Sequence, residues 1–262
     1  IGTARTFAII VAISSIFGFC AFLKKKNAPK LLSTIAAVIS IGLACFIPGN
    51  NGFWAVFHGT PSNNITISED LLGLLAYKKV GNKEVLHVQG RYMAKLPFAD
   101  NHLLLGVIPV LIHKNPEEVL VIGFGSGGVS WGAGCSNKVK AVNCYEVRKG
   151  EIDILKRIEL NKFPGLHQIL SDPRFKITYS DGRLALLLSE KKYDVIELDV
   201  WNDNAFSSTL LSVEFYSLLK SRLKKNGLFC TSLHYSEVVL TTAASVFPYV
   251  TIINDIVVFS LQ

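Results

Sequence analysis

The chain has 262 residues, half of them apolar and 18% charged, with a mean hydropathy of +0.36 and a formal charge of +7. These values exclude a disordered or collagen-like chain and leave enough length to bury a full core. The five cysteines are odd in number and widely spaced, with no CxxC pair, and the six histidines show no metal-ligand spacing, so neither a disulfide framework nor a metal site is expected.

Residues 1–60 hold Arg5, Lys24, Lys25, Lys26 and Lys30 and no acid, so most of the net charge lies there and the remainder is close to neutral. No phosphate-binding face, and no nucleic-acid partner, is needed to explain the basic balance. Residues 7–23 and 31–48 form two uncharged apolar runs separated by a short lysine-rich turn, which predicts a transmembrane helical hairpin in a lipid bilayer. Small residues along both runs (Ser14, Ser15, Gly18; Ser33, Ala36, Ala37, Ser40) suit close helix packing in lipid. The single methionine, Met93, is internal, so more sequence is expected upstream of Ile1.

A linker leads to a composition typical of a soluble domain, with a boundary near residue 61. Residues 61–115 are expected to hold a β-hairpin, residues 74–80 and 84–89 about a Gly81-Asn82 turn, and then a helix from about Asn101 to Ile112. Residues 116–262 alternate: strands at 119–123, 140–147, 175–181, 193–199 and 227–233, with helices between them, including 151–160 and 213–223. Unrelieved apolar strands alternating with helices predict an α/β, Rossmann-like parallel sheet, closed by an antiparallel pair at the C-terminus.

The candidate site lies along one rim of that sheet. Gly123, Gly125, Ser126 and Gly127 form a glycine turn directly after the first parallel strand, where backbone can approach a nucleotide-like ligand. Glu146 closes the second strand, where a carboxylate can accept both hydroxyls of a ribose. Asp181-Gly182 closes the third strand and Asp199 the fourth, so three successive strands end in an acid beside the glycine turn. The set suits a ligand with a ribose, an adenine amine and a cationic tail.

From about Glu69 to Leu261 this order of motifs resembles the spermidine/spermine synthases, the polyamine aminopropyltransferases, which have a class I methyltransferase-type fold and include members with membrane-spanning N-terminal regions. The resemblance rests on the hairpin with Gln89-Gly90, on HKNPEEVLVIGFGSGG, on Glu146, on DPRFKITYSDGR, on YDVIELD and on VEFYSLLKSRLKKNGLF. It implies that the glycine turn, Gln89 and Glu146 hold the ribose and thioether end of decarboxylated S-adenosylmethionine, with Asp181 and Gly182 at the adenine and Asp199 at the aminopropyl end. No metal is implied. The expected partners are a lipid bilayer, a small-molecule amine and a second copy of the chain in a homodimer.

The acceptor half departs from the family pattern. Where the family has a second aspartate three residues after the first, this chain reads Asp199-Val200-Trp201-Asn202-Asp203. Asn202 cannot take a proton from an ammonium, so Asp199 would orient the amine and Asp203, one place late, would be the base. The family's acceptor-side Tyr-His-Glu stands here as Asn101-His102-Leu103, its early tyrosine and glutamine as Leu72 and Gly73, and a further glutamine as Met93. Three readings follow: an aminopropyl transfer, methyl transfer from ordinary S-adenosylmethionine to another acceptor, and a catalytically silent nucleoside-binding membrane protein. The lysine-rich turn favours an external domain. An adenosyl donor requires a cytoplasmic one, and a multi-pass membrane protein with a cytoplasmic domain is the expectation.

Overall fold

The structure, a computed structural model, describes residues 2–24, 30–158, 162–200, 208–234 and 236–262. Two compact units divide the chain, Ile1–Asn82 with His87–Arg91, and Lys83–Leu86 with Tyr92–Gln262.

In the first unit, α1 (Thr3–Leu23) has 21 residues, about 32 Å at 1.5 Å per residue, and is by itself long and apolar enough to cross a membrane. It packs against α2 (Lys30–Cys45). The second predicted span differs from the structure: α2 ends at Cys45, ahead of Pro48, and α3 (Asn50–Phe57) turns away by 98°. With 16 residues, α2 reaches about 24 Å, short of a hydrocarbon core, and only the bent pair taken together has sufficient length. The centre of the expected lysine-rich turn, 25–29, lies outside the described residues. The Ser15 and Ser40 hydroxyls donate to Val11 and Ala36 carbonyls one turn back, which satisfies them without a neighbouring helix.

The composition boundary near residue 61 falls inside this unit, because α3 belongs with the strands that follow it. Ala55 and Trp54 pack on Ile65, Ile67, Leu74 and Ala76, from β1 (Ile65–Asp70) and β2 (Gly73–Val80). Glu69 of β1 fastens the same region: it accepts the Thr3 N–H at the start of α1 (2.9 Å), the Asn50 amide and the Trp54 indole N–H. Burial opposes its charge, but the hydrogen bonds from Asn50, Thr3 and Trp54 hold its carboxyl below the usual range. The predicted turn at Gly81, with φ 60°, leads into β3 (Lys83–Val88), and β4 (Arg91–Leu96) completes a small sheet of order β1-β2-β3-β4.

The second unit carries α4 (Asp100–Ile112) and a seven-stranded sheet. Its elements are β5 (Glu118–Ile122), α5 (Gly128–Ala133), β6 (Ala141–Glu146), α6 (Lys149–Arg157), α7 (Pro164–Ser171), β7 (Phe175–Tyr179), α8 (Gly182–Leu187), β8 (Tyr193–Leu198), α9 (Val213–Arg222), β9 (Leu223–Ser232), α10 (Glu237–Ala244), β10 (Tyr249–Ile253) and β11 (Ile256–Ser260). The sheet order is β10-β11-β9-β8-β5-β6-β7, with β5 to β9 parallel and β10 and β11 antiparallel at one edge, as the alternating pattern predicts. Every residue of the central β8 is buried, whereas edge strand β7 is largely open, which is why the middle strands read as continuous apolar runs.

Two backbones meet closely above the site. A Cβ on Gly132 of α5 would lie 2.5 Å from the Leu103 carbonyl of α4, and a Cβ on Gly106 of α4 would overlap the Val129 carbonyl. This contact brings the first turn of α4, with His102, against Gly128 at the start of α5.

Candidate functional site

The glycine turn leaves β5 through three left-handed residues, Gly123 (φ 97°), Gly125 (φ 56°) and Gly127 (φ 89°), conformations that side chains other than glycine rarely adopt. At Gly123 the space is closed as well, because a Cβ would overlap the Asp199 carbonyl. Backbone hydrogen bonds carry the sheet up to this point: Gly123 N–H donates to Tyr145 (3.0 Å) and Asp199 N–H to Ile122 (2.9 Å). The ends of β5, β6 and β8 are thereby held side by side. Helix α5, which follows the turn, is only six residues long, so its dipole is small and the loop amides are the main polar feature.

Glu146 ends β6 underneath that loop and is 5% exposed. Its Oε2 accepts the Phe124 N–H at 2.8 Å, and its Oε1 accepts the Arg148 N–H at 2.6 Å. Each oxygen keeps a lone pair for a further donor, so the carboxylate both shapes the loop and presents acceptors at its rim. Burial pushes the Glu146 carboxyl above the usual range, against the backbone N–H groups of Arg148 and Phe124 and the Arg148 charge.

Asp181 and Gly182 sit where β7 gives way to α8. The Asp181 side chain caps the helix by accepting the Leu184 N–H at 2.8 Å, and Gly182 packs on Ile122, where a Cβ would lie 2.6 Å from its Cγ2. Asp181 thus has a structural task, helix capping, in addition to its place on the rim. Ser126 is buried within the turn. Gln89 belongs to the first unit; it adopts φ 49° between β3 and β4, and its amide donates to the Leu72 carbonyl at 3.1 Å.

Asp199, just past β8, is partnered by a residue whose role the sequence left unassigned. His102 Nδ1 lies 2.8 Å from Asp199 Oδ2, with side-chain exposures of 24% and 18%. Burial opposes a charge on His102, yet the hydrogen bond and charge of Asp199 outweigh it and raise the imidazole above its ordinary value. The place of His102 in the family's Tyr-His-Glu position was the available signal. Asn202 and Asp203, the expected departure from the family and the expected base, lie outside the described residues.

Two further buried carboxyls stand close by. Glu151, in the first turn of α6, is 2% exposed, and its Oε1 has no hydrogen-bond partner among the described residues. Glu197 of β8 is wholly buried, and neither of its oxygens has a hydrogen-bond partner among the described residues. Burial, and then the charge of Asp199, push the Glu197 carboxyl well above the usual range.

A doubly wound sheet with antiparallel C-terminal strands and an acid-rimmed glycine turn defines the class: a Rossmann-like protein of the methyltransferase type. Residues 100–250 match the family model for the spermine/spermidine synthase domain, and the chain belongs to that family. Among curated proteins it is 31% identical over 128 residues to the polyamine aminopropyltransferase of Bacillus mycoides, covering 49% of this chain and 45% of that one. It is 33% identical over 126 residues to the polyamine aminopropyltransferase of Korarchaeum cryptofilum, covering 48% and 38%. The chain spans about half the length of the curated relatives it matches. Among solved structures, the spermidine synthase of Thermotoga maritima superposes with a TM-score of 0.65 at 20% identity, covering 76% of this chain and 74% of that one, which shows a shared fold. A spermidine synthase in complex with the transition state analogue AdoDATO gives 0.64 at 19% identity, covering 76% and 74%.

Proposed function

We propose that the chain is a membrane-anchored transferase of the aminopropyltransferase type, taking decarboxylated S-adenosylmethionine as donor and a small amine as acceptor. The observation that carries this reading is the convergence of the left-handed glycine turn, Glu146 and Asp199 on one rim of the sheet. The free lone pairs of Glu146 would accept the ribose hydroxyls, the loop backbone would lie along the thioether, and Asp181 and Gly182 would lie beside the adenine. Asp199 would receive the amine. Its nitrogen attacks the carbon next to the sulfonium; the N–C bond forms as the C–S bond breaks, the sulfur keeps the electron pair as a neutral thioether, and the amine loses a proton to a base. Asp203 is the expected base, with Asp199 as orienting acceptor.

The pairing of Asp199 with His102 favours keeping a second reading. A carboxylate already bound to an imidazolium attracts a cationic amine less strongly, which suits methyl transfer from S-adenosylmethionine to a neutral acceptor. Incubating the full chain with decarboxylated S-adenosylmethionine and putrescine tests the first reading. Release of methylthioadenosine with formation of an aminopropylated amine supports it; methyl transfer alone, or no turnover of either donor, overturns it.

The anchor rests on exposed apolar side chains along α1 and α2, among them Phe7, Ile13, Phe17, Leu31 and Leu43, whose natural solvent is lipid. Glu69 ties the start of α1 to β1, so in a bilayer both ends of an α1–α2 hairpin would lie on the side of the strands. That side would be the cytoplasm, where adenosyl donors are kept.

A further inference from the structure

The two sides of helix α3 meet different surroundings. At about 3.6 residues per turn, Trp54 and Ala55 fall on one side and Phe53, Val56 and Phe57 on the other. Trp54 and Ala55 pack on β1 and β2. On the opposite side Val56 is 75% and Phe57 70% exposed, and the Phe53 ring meets Phe7 of α1 with 6.2 Å between centroids. The open face of α3 is therefore apolar and turned towards the helix that is long and apolar enough to cross a membrane.

Hydrogen bonds place the start of α3 level with the start of α1. The Ala4 N–H donates to Asn50 Oδ1 at 3.2 Å, and the Thr3 N–H and the Asn50 amide meet on one oxygen of Glu69. In a bilayer crossed by the 21 residues of α1, that level is the edge of the hydrocarbon. Helix α2 packs on α1, but at about 24 Å it stops short of the same level. Residues 46–49 make up the difference, with Phe46 exposed, and α3 then leaves at 98° to α2. A helix that starts at the edge of the hydrocarbon and runs across the direction of the spans lies in the membrane plane.

We propose that α3 is an interfacial helix, seated at the boundary between the headgroups and acyl chains of the bilayer that α1 crosses. Its Phe53, Val56 and Phe57 face meets the acyl chains, and its Trp54 and Ala55 face carries the strands. The proposal deepens the anchored reading above and rests on it. Two further observations fit a lipid surface as the partner. Trp54 gives its indole N–H to Glu69, so the polar edge of that ring is turned to protein and away from the headgroups. Arg5, exposed in the first turn of α1, stands at the level of the lipid phosphates. Strands β1 and β2 then rest on the membrane surface through α3 and do not hang from a free tether.

The full chain in phosphatidylcholine vesicles, unaltered and as Phe57→Trp, tests this. Phe57 is exposed, so a larger ring there displaces nothing inside the fold. The added indole emission should lie at shorter wavelength than that of an indole in water. Lipids brominated near the glycerol end of their acyl chains should quench it about twofold more than lipids brominated near the methyl end. Val56→Trp should give the same result from the other exposed position. Stronger quenching by the deep bromines would overturn the interfacial placement and make α2 and α3 halves of one bent span. No quenching by either lipid would overturn it too: emission at long wavelength would put the face in water, and emission at short wavelength would put it against another protein surface. An unaltered chain that parts from the vesicles on flotation in alkaline carbonate would overturn the anchored reading itself, and this proposal with it.

Discussion

The two ends of the candidate site are built differently. At the proposed donor end, Glu146 takes hold of the backbone amides of Phe124 and Arg148, beside a turn of three left-handed glycines. At the proposed acceptor end, Asp199 depends on one side-chain pair, with His102, brought in by a helix whose approach is set by the Gly106–Gly132 contact. Backbone-anchored chemistry survives sequence change, because most side chains around it are free to vary. Side-chain-anchored chemistry does not, and two of the departures from the family pattern, Asn101 and Leu103, flank His102 in the chain.

The largest expected effect breaks the donor end outright. Gly123→Ala places a Cβ on the Asp199 carbonyl in a left-handed conformation, and should cost about 3 kcal/mol of stability or more. Chemical denaturation would read this, and a loss under about 1 kcal/mol would mean that the turn relaxes easily. Glu146→Ala comes next. It frees the Phe124 N–H and removes the ribose acceptors, which should weaken adenosyl binding by about 1.5–3 kcal/mol.

Glu197 sharpens the comparison from beneath Asp199. Its folded-state pKa is raised, so the folded protein holds a proton that the unfolded chain gives up. The penalty is absent below the unfolded value of about 4.3 and grows as pH rises towards the folded one. Glu197→Leu should therefore add about 1–3 kcal/mol at neutral pH and flatten that decline, measured by denaturation at several pH values. Unchanged stability across the range would show that the carboxyl finds a partner.

The smallest effect belongs to the acceptor pair. The pKa of His102 is raised by Asp199, so the contribution of the pair is full below the unfolded value of about 6.5 and is lost as pH rises through the folded one. His102→Asn should remove about 0.5–1 kcal/mol at low pH and nothing at high pH. Nuclear magnetic resonance titration of the imidazole would check the direction, and a value below the ordinary one would contradict the pairing.

Much of the second unit was legible in the sequence, because β5, β6, β8 and the second half of β9 are largely buried and therefore read as apolar runs between helices. Short amphipathic α7 and α10 were missed; α7 spends only Leu166 and Ile169 on the core, too few to mark a period. The stretch around Phe53 and Trp54 was read as linker. It became α3 through the Glu69 bond and packing on β1, which no local pattern announces. In the site, the glycines, Glu146 and Asp199 stood out because each closes a strand. The His102–Asp199 pair joins residues 97 positions apart, and Glu151 looks like an ordinary first-turn acid until the loop covers it.

The central claim is that the glycine turn and Glu146 form an adenosyl site. It is tested most directly by calorimetric titration of methylthioadenosine into the full chain and into its Glu146→Ala variant. The account predicts saturable binding to the unaltered chain, weakened in the variant by about 10- to 150-fold, the equivalent of 1.5–3 kcal/mol. No binding to the unaltered chain, or equal binding to both, would contradict it.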